Sequence, residues 1–279
     1  MLNVTTGRMG LALVLEHMKL QRGEKILIHA YHCNSMVEPV VNAGGEPIFY
    51  KVREDTSVDL EDLESRVDKQ VRALMVTHYF GFPQDLKAIR SFCDNKNIML
   101  IEDCAHVFFG EYQERPLGSY GNYSFSSPMK FFPVYDGGYL ISYRNTLKEI
   151  KLESSGVMFE ARAIFTILER SLKFGRFGVI RSLFIIPVHI KNIINKLFRI
   201  NTENSNCTVG RKEPRYDFSG YFSGRAGEFD KSWIHKRMSL TSRILINLSS
   251  KSRLVVKRRA NYLVMHKAFS GLQGCNPLY

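Results

Sequence analysis

The chain has 279 residues, 44% of them hydrophobic, and carries a formal net charge of +12 at pH 7. This hydrophobic content is sufficient for a packed core, which excludes wholesale disorder and predicts one large or two modest domains. The charge is uneven, because residues 1–150 carry 16 basic and 19 acidic side chains whereas residues 151–279 carry 23 and 8. The basic half is therefore expected to meet an acidic partner or surface, such as a membrane leaflet, nucleotide phosphates or nucleic acid.

The cysteines and the N-terminal residues indicate the cellular compartment in which the protein is expected. The five cysteines are scattered and form no CxxC pair, which argues against a structural zinc site and a disulfide framework. Residues 1–6 have neither a basic start nor a long apolar run, and the longest apolar stretch, residues 183–190, is too short to cross a bilayer. With no recognised nucleic-acid-binding motif, these features predict a cytoplasmic protein with no metal site and no nucleic-acid partner.

Helical and strand patterns alternate through the first half of the chain. In chain order the patterns predict a helix at 7–19, a strand at 25–28, a helix at 35–43, a strand at 47–52, a helix at 60–67, a strand at 73–77, a helix at 85–95, and strands at 98–102, 123–125 and 138–141. Strands that alternate with helices indicate βαβ units and a mainly parallel sheet. The predicted fold class is therefore α/β.

The pattern changes in the second half of the chain. Residues 160–200 are apolar and basic and predict two helices broken at glycines and at Pro187, residues 201–230 predict a linker, and residues 231–270 predict basic helices. A basic amphipathic 160–200 segment can make a weak peripheral contact with an anionic membrane, or it can pack within the protein or a dimer interface. Packing is favoured because apolar helix faces in soluble proteins usually serve the core.

Two candidate catalytic residues follow predicted strands. Asp103 ends the apolar run 98–102, and Lys130 follows Ser127-Pro128-Met129. Ligands of open α/β sheets bind at the carboxyl ends of strands, where a lysine can bind the aldehyde of pyridoxal phosphate as a Schiff base and a carboxylate can keep its ring nitrogen protonated. Taken singly, such an aspartate is often a helix N-cap and such a lysine a surface residue. Together, Asp103 and Lys130 predict a pyridoxal phosphate site.

Other residues are placed to hold such a cofactor. Gly7 and Arg8 begin a helix, where free backbone N–H groups and the helix dipole favour a phosphate. Ser127 can add a hydroxyl to the same phosphate, with the neighbouring serines of that loop as alternatives. His106 lies three residues after Asp103 and is expected to face the same ligand, although a lone histidine is more often an ordinary hydrogen-bonded group.

Several of these motifs resemble the DegT/StrS-type sugar aminotransferases, a pyridoxal phosphate family of fold type I. The resemblance covers residues 3–145 and is carried by Thr6-Gly7-Arg8, Glu46-Pro47-Ile48-Phe49, Thr77-His78-Tyr79-Phe80-Gly81, Ile101-Glu102-Asp103-Cys104-Ala105-His106, Ser127-Pro128-Met129-Lys130 and Asp136-Gly137-Gly138. It implies a fold-type-I large domain, a mainly parallel sheet flanked by helices, followed by an incomplete C-terminal small domain.

The resemblance implies roles for the matching residues. Lys130 would bind the cofactor covalently and move a proton, and Asp103 would pair with the ring nitrogen. His106 would lie near the phenolic oxygen of the cofactor, and Gly7, Arg8 and Ser127 would hold its phosphate.

The chain departs from the family where an aromatic residue usually covers the cofactor ring. Cys33 stands at that position, so the neighbouring Tyr31 or His32 is expected to take over the contact. Tyr31 is therefore a further expected cofactor-binding residue.

The resemblance also implies a domain plan and a function. Residues 1–150 would form the cofactor-binding large domain, residues 151–230 a divergent helical insertion and linker, and residues 231–279 the start of the C-terminal domain. Such enzymes transfer an amino group, usually from glutamate or glutamine, to a nucleotide-linked keto-sugar in polysaccharide or glycoside biosynthesis. They act as homodimers, so residues 231–245, including His235, are expected to approach the cofactor phosphate of the partner. The alternative is a truncated, non-catalytic homologue or partner subunit that keeps the fold.

Overall fold

A computed structural model describes residues 1–173 and 229–274 of the chain. The strands are β1 Leu2–Val4, β2 Lys25–His29, β3 Glu46–Tyr50, β4 Val71–Thr77, β5 Met99–Cys104, β6 Glu111–Tyr112, β7 Arg115–Pro116, β8 Tyr123–Ser126 and β9 Gly138–Ile141. Seven of them form one sheet in the order β1-β9-β8-β5-β4-β2-β3. From β3 to β8 neighbouring strands are parallel, and β9 runs antiparallel to both β8 and β1.

Helices cover both faces of this sheet. They are α1 Gly7–His17, α2 Asn34–Asn42, α3 Leu60–Ser65, α4 Leu86–Lys96, α5 Val157–Lys173, α6 Leu240–Leu248 and α7 Lys251–Phe269. The side-chain alternation of the strands divides the core, because Ile26 and Ile28 pack on the side of α1 while Leu27 packs with Leu63 of α3 and Ile89 of α4. The result is a three-layer α/β unit, as the sequence predicts.

All ten elements predicted within residues 1–150 are present, with shifted ends. Helix α1 ends two residues earlier than predicted, since Lys19 has a left-handed backbone with φ of 53°. Strand β5 extends two residues further, to Cys104, so Asp103 lies inside the strand. The sequence patterns do not predict strand β1 or the β6–β7 hairpin, because segments of two or three residues are too short to display a period.

The segment after residue 228 packs on the sheet through a buried carboxylate. Asp136, which is fully buried, accepts hydrogen bonds from the Ser239 backbone N–H at 2.7 Å, from the Ser239 hydroxyl at 2.5 Å and from the Ser242 hydroxyl. Ser239 is also the N-cap of α6, because its hydroxyl accepts the Ser242 N–H at 3.1 Å. Asp136 thus fixes the start of α6 against the start of β9.

Helix α5 packs its apolar side on the same unit. Phe159 and Ala163 are buried against Tyr135, with Trp233 beside them. This is the part of the predicted 160–200 segment that the structure describes, and the remainder, from residue 174 on, lies outside the described residues. Among residues 1–173 and 229–274, no helix has both the length and the apolarity to cross a bilayer.

Two helices follow where the sequence predicts basic helices over 231–270. A short 3₁₀ turn, Lys231–Trp233, precedes them, and they are separated at Ser249 and Ser250. Ser250 begins the second helix, because its hydroxyl accepts the Arg253 N–H at 3.3 Å. The residues of α7 are mostly exposed, and none is buried.

The Asp136 contacts make a stability prediction. Asp136→Ala removes one acceptor for three donors and leaves them unpaired in a buried site. We expect the free energy of unfolding in urea to fall by about 2–4 kcal/mol. Asp55→Ala is the matched control, since Asp55 also accepts from a serine N–H and hydroxyl but is exposed, and it should cost at most about 0.5 kcal/mol. Equal losses in the two variants would contradict the anchoring role.

Candidate active site

The first wall of the site is the start of α1. Thr6 caps this helix, and its hydroxyl accepts the Met9 N–H at 3.3 Å. Strand β9 passes so close that a Cβ on Gly138 would lie 2.3 Å from the Thr6 carbonyl carbon, and one on Gly7 would lie 3.2 Å from the Ser126 oxygen. Glycine at both positions lets the helix start sit directly against β8 and β9.

The second wall is the carboxyl end of β5. Asp103 is fully buried, and its Oδ1 accepts the Ala105 N–H at 2.8 Å while its Oδ2 accepts the Thr77 hydroxyl at 3.1 Å. Residues 105–110 form turns and bends, so Asp103 is not the N-cap of a helix. The carboxylate is held by two hydrogen bonds at the edge where α/β sheets bind ligands.

The third wall is the turn that carries Lys130. Pro128–Lys130 form one 3₁₀ turn after β8, in which the Lys130 N–H donates to the Ser127 carbonyl at 3.0 Å. From α7, Arg258 donates to the Lys130 carbonyl at 2.7 Å and stacks over the Phe131 ring at 4.5 Å. The backbone of the lysine is therefore fixed on both sides while its side chain is exposed to solvent.

These three walls enclose one cavity of about 540 Å³. It is lined by Thr6, Gly7, Arg8, Met9, Cys33, Ser35, Met36, Asp103, Ala105, Phe125, Ser127, Met129, Lys130, Val134 and Arg170. Five of the seven residues that the sequence assigns to a cofactor therefore meet in one cavity. Those five are Gly7, Arg8, Asp103, Ser127 and Lys130.

The other two assigned residues lie elsewhere. Tyr31 is 59% exposed and stacks on Tyr79 with ring centroids 5.5 Å apart. His106 stacks on Phe80, and its Nδ1 accepts the Phe80 N–H at 3.4 Å. Neither is among the residues that line the cavity, and their assignment to a cofactor stays a prediction.

Positive charge predominates among the ionisable side chains of the cavity. Arg8 forms an ion pair with Glu38 at 3.0 Å and donates to the Ser35 hydroxyl at 3.4 Å. Arg170 of α5 donates to the Val134 carbonyl at 3.1 Å. With Lys130 and the helix start, these groups favour an anionic ligand such as a phosphate.

Burial shifts the titration of two groups at this edge of the sheet. Loss of water raises the pKa of Asp103, against the opposing effects of the Ala105 N–H, Lys130 and the Thr77 hydroxyl. Burial, together with the charge of Lys130, lowers the pKa of His106 to about 4. His106 is therefore neutral at pH 7.

The residue before Asp103 has a different surrounding. Glu102, also fully buried, accepts backbone N–H groups from Gly118, Tyr120 and Gly121 at 3.0, 2.7 and 2.5 Å, and lies 3.1 Å from His78 Nε2. His78 Nδ1 accepts the Gln84 N–H at 3.4 Å, so Nε2 carries the proton that Glu102 accepts. With Cys104 these side chains form a buried group of metal-ligand type, but its carboxylate already holds a loop in place.

Sequence reasoning missed three contributors to the site. Arg170 lies 36 residues from its partner Val134, and Arg258 lies 128 residues from its partner Lys130, so no local sequence pattern predicts these contacts. The third is a row of buried, hydrogen-bonded side chains behind Asp103 that begins with Thr77. The sequence places Thr77 at a strand end, but its partner His29 lies 48 residues earlier, at the end of another strand.

The geometry can be set beside proteins of known identity. Residues 1–162 match the DegT/DnrJ/EryC1/StrS aminotransferase family. Over 160 residues the chain is 26% identical to a GDP-perosamine synthase of Vibrio cholerae, covering 56% of this chain and 44% of that protein. Over 156 residues it is 26% identical to a GDP-perosamine synthase of Escherichia coli O157:H7, covering 55% and 43%. The chain thus spans less than half the length of these relatives.

Solved structures give a further partial match. AtS13 from Actinomadura melliaura superposes with a TM-score of 0.47 and 27% sequence identity, covering 52% of this chain and 41% of that one.

The Arg258 contact makes a local prediction. Arg258→Ala removes the hydrogen bond to the Lys130 carbonyl and the stacking on Phe131, which together contribute about 1–2 kcal/mol to local order. We expect amide hydrogen exchange in residues 128–132 to become roughly 5- to 30-fold faster. Arg259→Ala, at the adjacent exposed arginine, should leave that exchange unchanged. Identical exchange in both variants would show that Arg258 does not hold the Lys130 turn.

Proposed function

Because this chain belongs to the DegT/DnrJ/EryC1/StrS aminotransferase family, we propose that it binds pyridoxal 5′-phosphate in the cavity between α1, β5 and Lys130 and transfers an amino group. The observation that carries the proposal is the convergence of Asp103, Ser127 and Lys130 with the start of α1 on one cavity. A buried carboxylate held by neutral donors, next to a lysine and a helix start, suits a ligand with a cationic ring and a phosphate.

The residues present fit this cofactor. The backbone N–H groups at Gly7 and Arg8 and the Ser127 hydroxyl would hold the phosphate, and the Asp103 carboxylate would accept a charge-assisted hydrogen bond from the ring nitrogen. Lys130 would hold the cofactor through its amine. When bound, the cofactor supplies an electron sink for the carbon next to the transferred nitrogen.

Lys130 is also the proposed acid and base. Its amine would take the proton from Cα of the amine donor and return it on the other side of the transfer, which requires an unprotonated amine close to the cavity. The Arg258 and Ser127 contacts keep the lysine backbone fixed while its side chain stays free to move. Arg8 and Arg170 favour anionic substrates in the same cavity.

A nucleotide-linked keto-sugar is the proposed acceptor, with an amino acid, glutamate first, as the donor. The GDP-perosamine synthases to which the chain is similar support this substrate class. The product would serve polysaccharide or glycoside biosynthesis in the cytoplasm.

The working unit is proposed to be a homodimer in which residues 231–245 approach the partner's site. His235 of this segment lies on the surface, 2.8 Å from Glu16 of α1, and is about half exposed. Static light scattering measures the assembly directly. A monomer that still transfers amino groups would contradict the dimer.

Lys130→Ala tests the cofactor attachment. The wild-type chain with pyridoxal phosphate should show an absorbance band on the order of 410–430 nm, and borohydride should remove it and fix the cofactor to the chain. We expect the variant to lose the band, the borohydride-dependent mass increase and all amino transfer. Lys148→Ala, at another exposed lysine, should behave as wild type. Labelling of a different lysine by borohydride would overturn the assignment.

Asp103→Asn separates cofactor binding from folding. Because burial raises the pKa of Asp103, its ionised form is the costly one in the cofactor-free protein, and stability falls as the pH rises through that pKa. The amide resembles the protonated carboxyl, so we expect the cofactor-free variant to be at least as stable as wild type at pH 7. Its affinity for pyridoxal phosphate should fall at least about 10-fold. A parallel loss of stability and affinity would indicate a structural aspartate instead.

A further inference from the structure

We propose that His29 is a positioning residue for Asp103, acting through the Thr77 hydroxyl, so that the tautomer of its ring changes with the charge of that carboxylate. The proposal rests on the proposed function for its role in cofactor binding, but the coupling itself is a property of the chain. It is carried by a continuous row of buried polar groups behind the cavity.

The row joins the strands β2, β4 and β5 and the 3₁₀ turn Tyr79–Gly81. Asp103 Oδ2 accepts from the Thr77 hydroxyl at 3.1 Å, Thr77 Oγ1 lies 2.6 Å from His29 Nε2, and His29 Nδ1 lies 2.5 Å from the Tyr79 hydroxyl. The row ends where Tyr79 approaches the Tyr31 carbonyl at 2.7 Å. His29, Thr77, Tyr79 and Asp103 are all at most 4% exposed, so water does not replace a missing partner.

Proton counting shows why the row has two states. The row contains four short contacts, but the Thr77 hydroxyl, a neutral His29 ring and the Tyr79 hydroxyl supply only three protons. Both ends, the Asp103 carboxylate and the Tyr31 carbonyl, are acceptors. One contact therefore lacks a proton as long as Asp103 is ionised and His29 is neutral.

With Asp103 ionised, the contact without a proton falls at the far end of the row. Thr77 donates to Asp103, His29 Nε2–H donates to Thr77, and Tyr79 donates to His29 Nδ1. If the missing proton were instead at one of the other three contacts, the Asp103 carboxylate or a ring nitrogen of His29 would face an oxygen lone pair at short distance. This costs more free energy than leaving the Tyr31 carbonyl without a donor. The ionised state thus requires the Nε2–H tautomer.

With Asp103 protonated, the whole row reverses and all four contacts are filled. Asp103 donates to Thr77, Thr77 to His29 Nε2, His29 Nδ1–H to Tyr79, and Tyr79 to the Tyr31 carbonyl. The fourth proton stays on the carboxyl because burial raises the pKa of Asp103 and lowers the pKa of His29 to about 4. The protonated state requires the Nδ1–H tautomer.

Other titratable groups face this row. Against the effect of burial, a backbone hydrogen bond with Tyr31 raises the pKa of His29. The nearby His32 and His106 lower that pKa further. The titratable groups that face His29, Tyr79 or Asp103 from neighbouring elements are Tyr31, His32, Cys33, Tyr50, His78, His106 and Lys130. Of these, Lys130 is the cation that favours ionised Asp103.

The coupling has a consequence for cofactor binding. A protonated ring nitrogen at Asp103 requires the ionised carboxylate, so binding would turn the row into its Nε2–H state. The Thr77 hydroxyl then donates to the carboxylate and holds it towards the cavity, and His29 holds that hydroxyl in place. Loss of the Thr77 hydroxyl would leave Asp103 present but more easily protonated.

The first experiment needs no cofactor. Imidazole ¹⁵N NMR of the full chain distinguishes Nδ1–H from Nε2–H, and a His29→Gln sample assigns the His29 signals. We expect Asp103→Asn to hold His29 as Nδ1–H, because its Oδ1 accepts from Ala105 and its amide must donate to Thr77. Wild type should change from Nδ1–H to Nε2–H as the pH rises and Asp103 ionises. A single tautomer in wild type at all pH values and in Asp103→Asn would overturn the proposal.

The second experiment uses pyridoxal phosphate as the probe. Thr77→Val should weaken its binding roughly 5- to 30-fold and should raise the pH at which acidification halves the affinity, because the carboxylate loses its hydroxyl donor. Tyr79→Phe and His29→Gln should instead lower that pH, because protonation of Asp103 then no longer fills a contact that the ionised row leaves empty. Thr77→Ser keeps the hydroxyl and should restore both values.

Tyr50→Phe is the matched control. Tyr50 is as buried as Tyr79 and also meets the His29 ring edge-on, but its hydroxyl donates to the Met75 carbonyl outside the row. Tyr50→Phe should lower the stability of the protein without shifting the pH at which acidification halves the affinity. An equal shift of that pH in Tyr50→Phe and Tyr79→Phe would mean that Tyr79 acts only through packing, and it would overturn the proposal. If wild type does not bind pyridoxal phosphate, the proposed function fails while the NMR result still decides the coupling.

Discussion

The site depends on two neighbouring carboxylates that are both removed from water. Glu102 and Asp103 point to opposite faces of β5, and both are fully buried. Backbone N–H groups of residues 118–121 surround Glu102, so its charge is satisfied within the fold. Asp103 accepts from the Ala105 N–H and the Thr77 hydroxyl, and these two bonds leave it short of compensation. One strand therefore carries a structural carboxylate and a carboxylate that gains from a cationic ligand.

The rest of the fold brings complementary groups to that carboxylate. Gly7 and Gly138 allow the start of α1 to lie directly on β9, which sets the N-terminal end of this helix at a fixed place relative to β5. The turn after β8 places Lys130 at the same cavity, and Asp136 ties the following strand to α6. A shift in any one of these contacts would separate groups that a single ligand must reach together.

The sequence predicted the secondary structure but not the contacts between residues that are far apart in the chain. Periodicity located every helix and strand longer than three residues in the first half, and strand ends located Asp103 and the Lys130 turn, because these features depend on neighbouring residues. The contacts of His29 with Thr77 and of Arg258 with Lys130 span 48 and 128 residues. Their geometry follows from the order β5-β4-β2 in the sheet and from the docking of α7, neither of which is written in a local pattern. Tyr31 and His106 show the same limit, since proximity along the chain did not place them on the cavity wall.

The buried row explains how a strand-end aspartate can await a ligand without a permanent cation in ion-pair contact with it. A fixed arginine or lysine at that distance would keep Asp103 ionised, but it would compete with the ring nitrogen of the ligand. Below the pKa of Asp103, a row that holds one more proton keeps that carboxyl uncharged and fully hydrogen-bonded, which limits the cost of burial. When a ligand with a cationic ring binds, the charge of the ring replaces the proton on the Asp103 carboxyl. The hydrogen bond that is lost is then the one at the far end of the row, from the Tyr79 hydroxyl to the Tyr31 carbonyl. His29, which the family resemblance does not single out, would thus be what allows the same carboxyl to be uncharged in one state and a strong acceptor in the other.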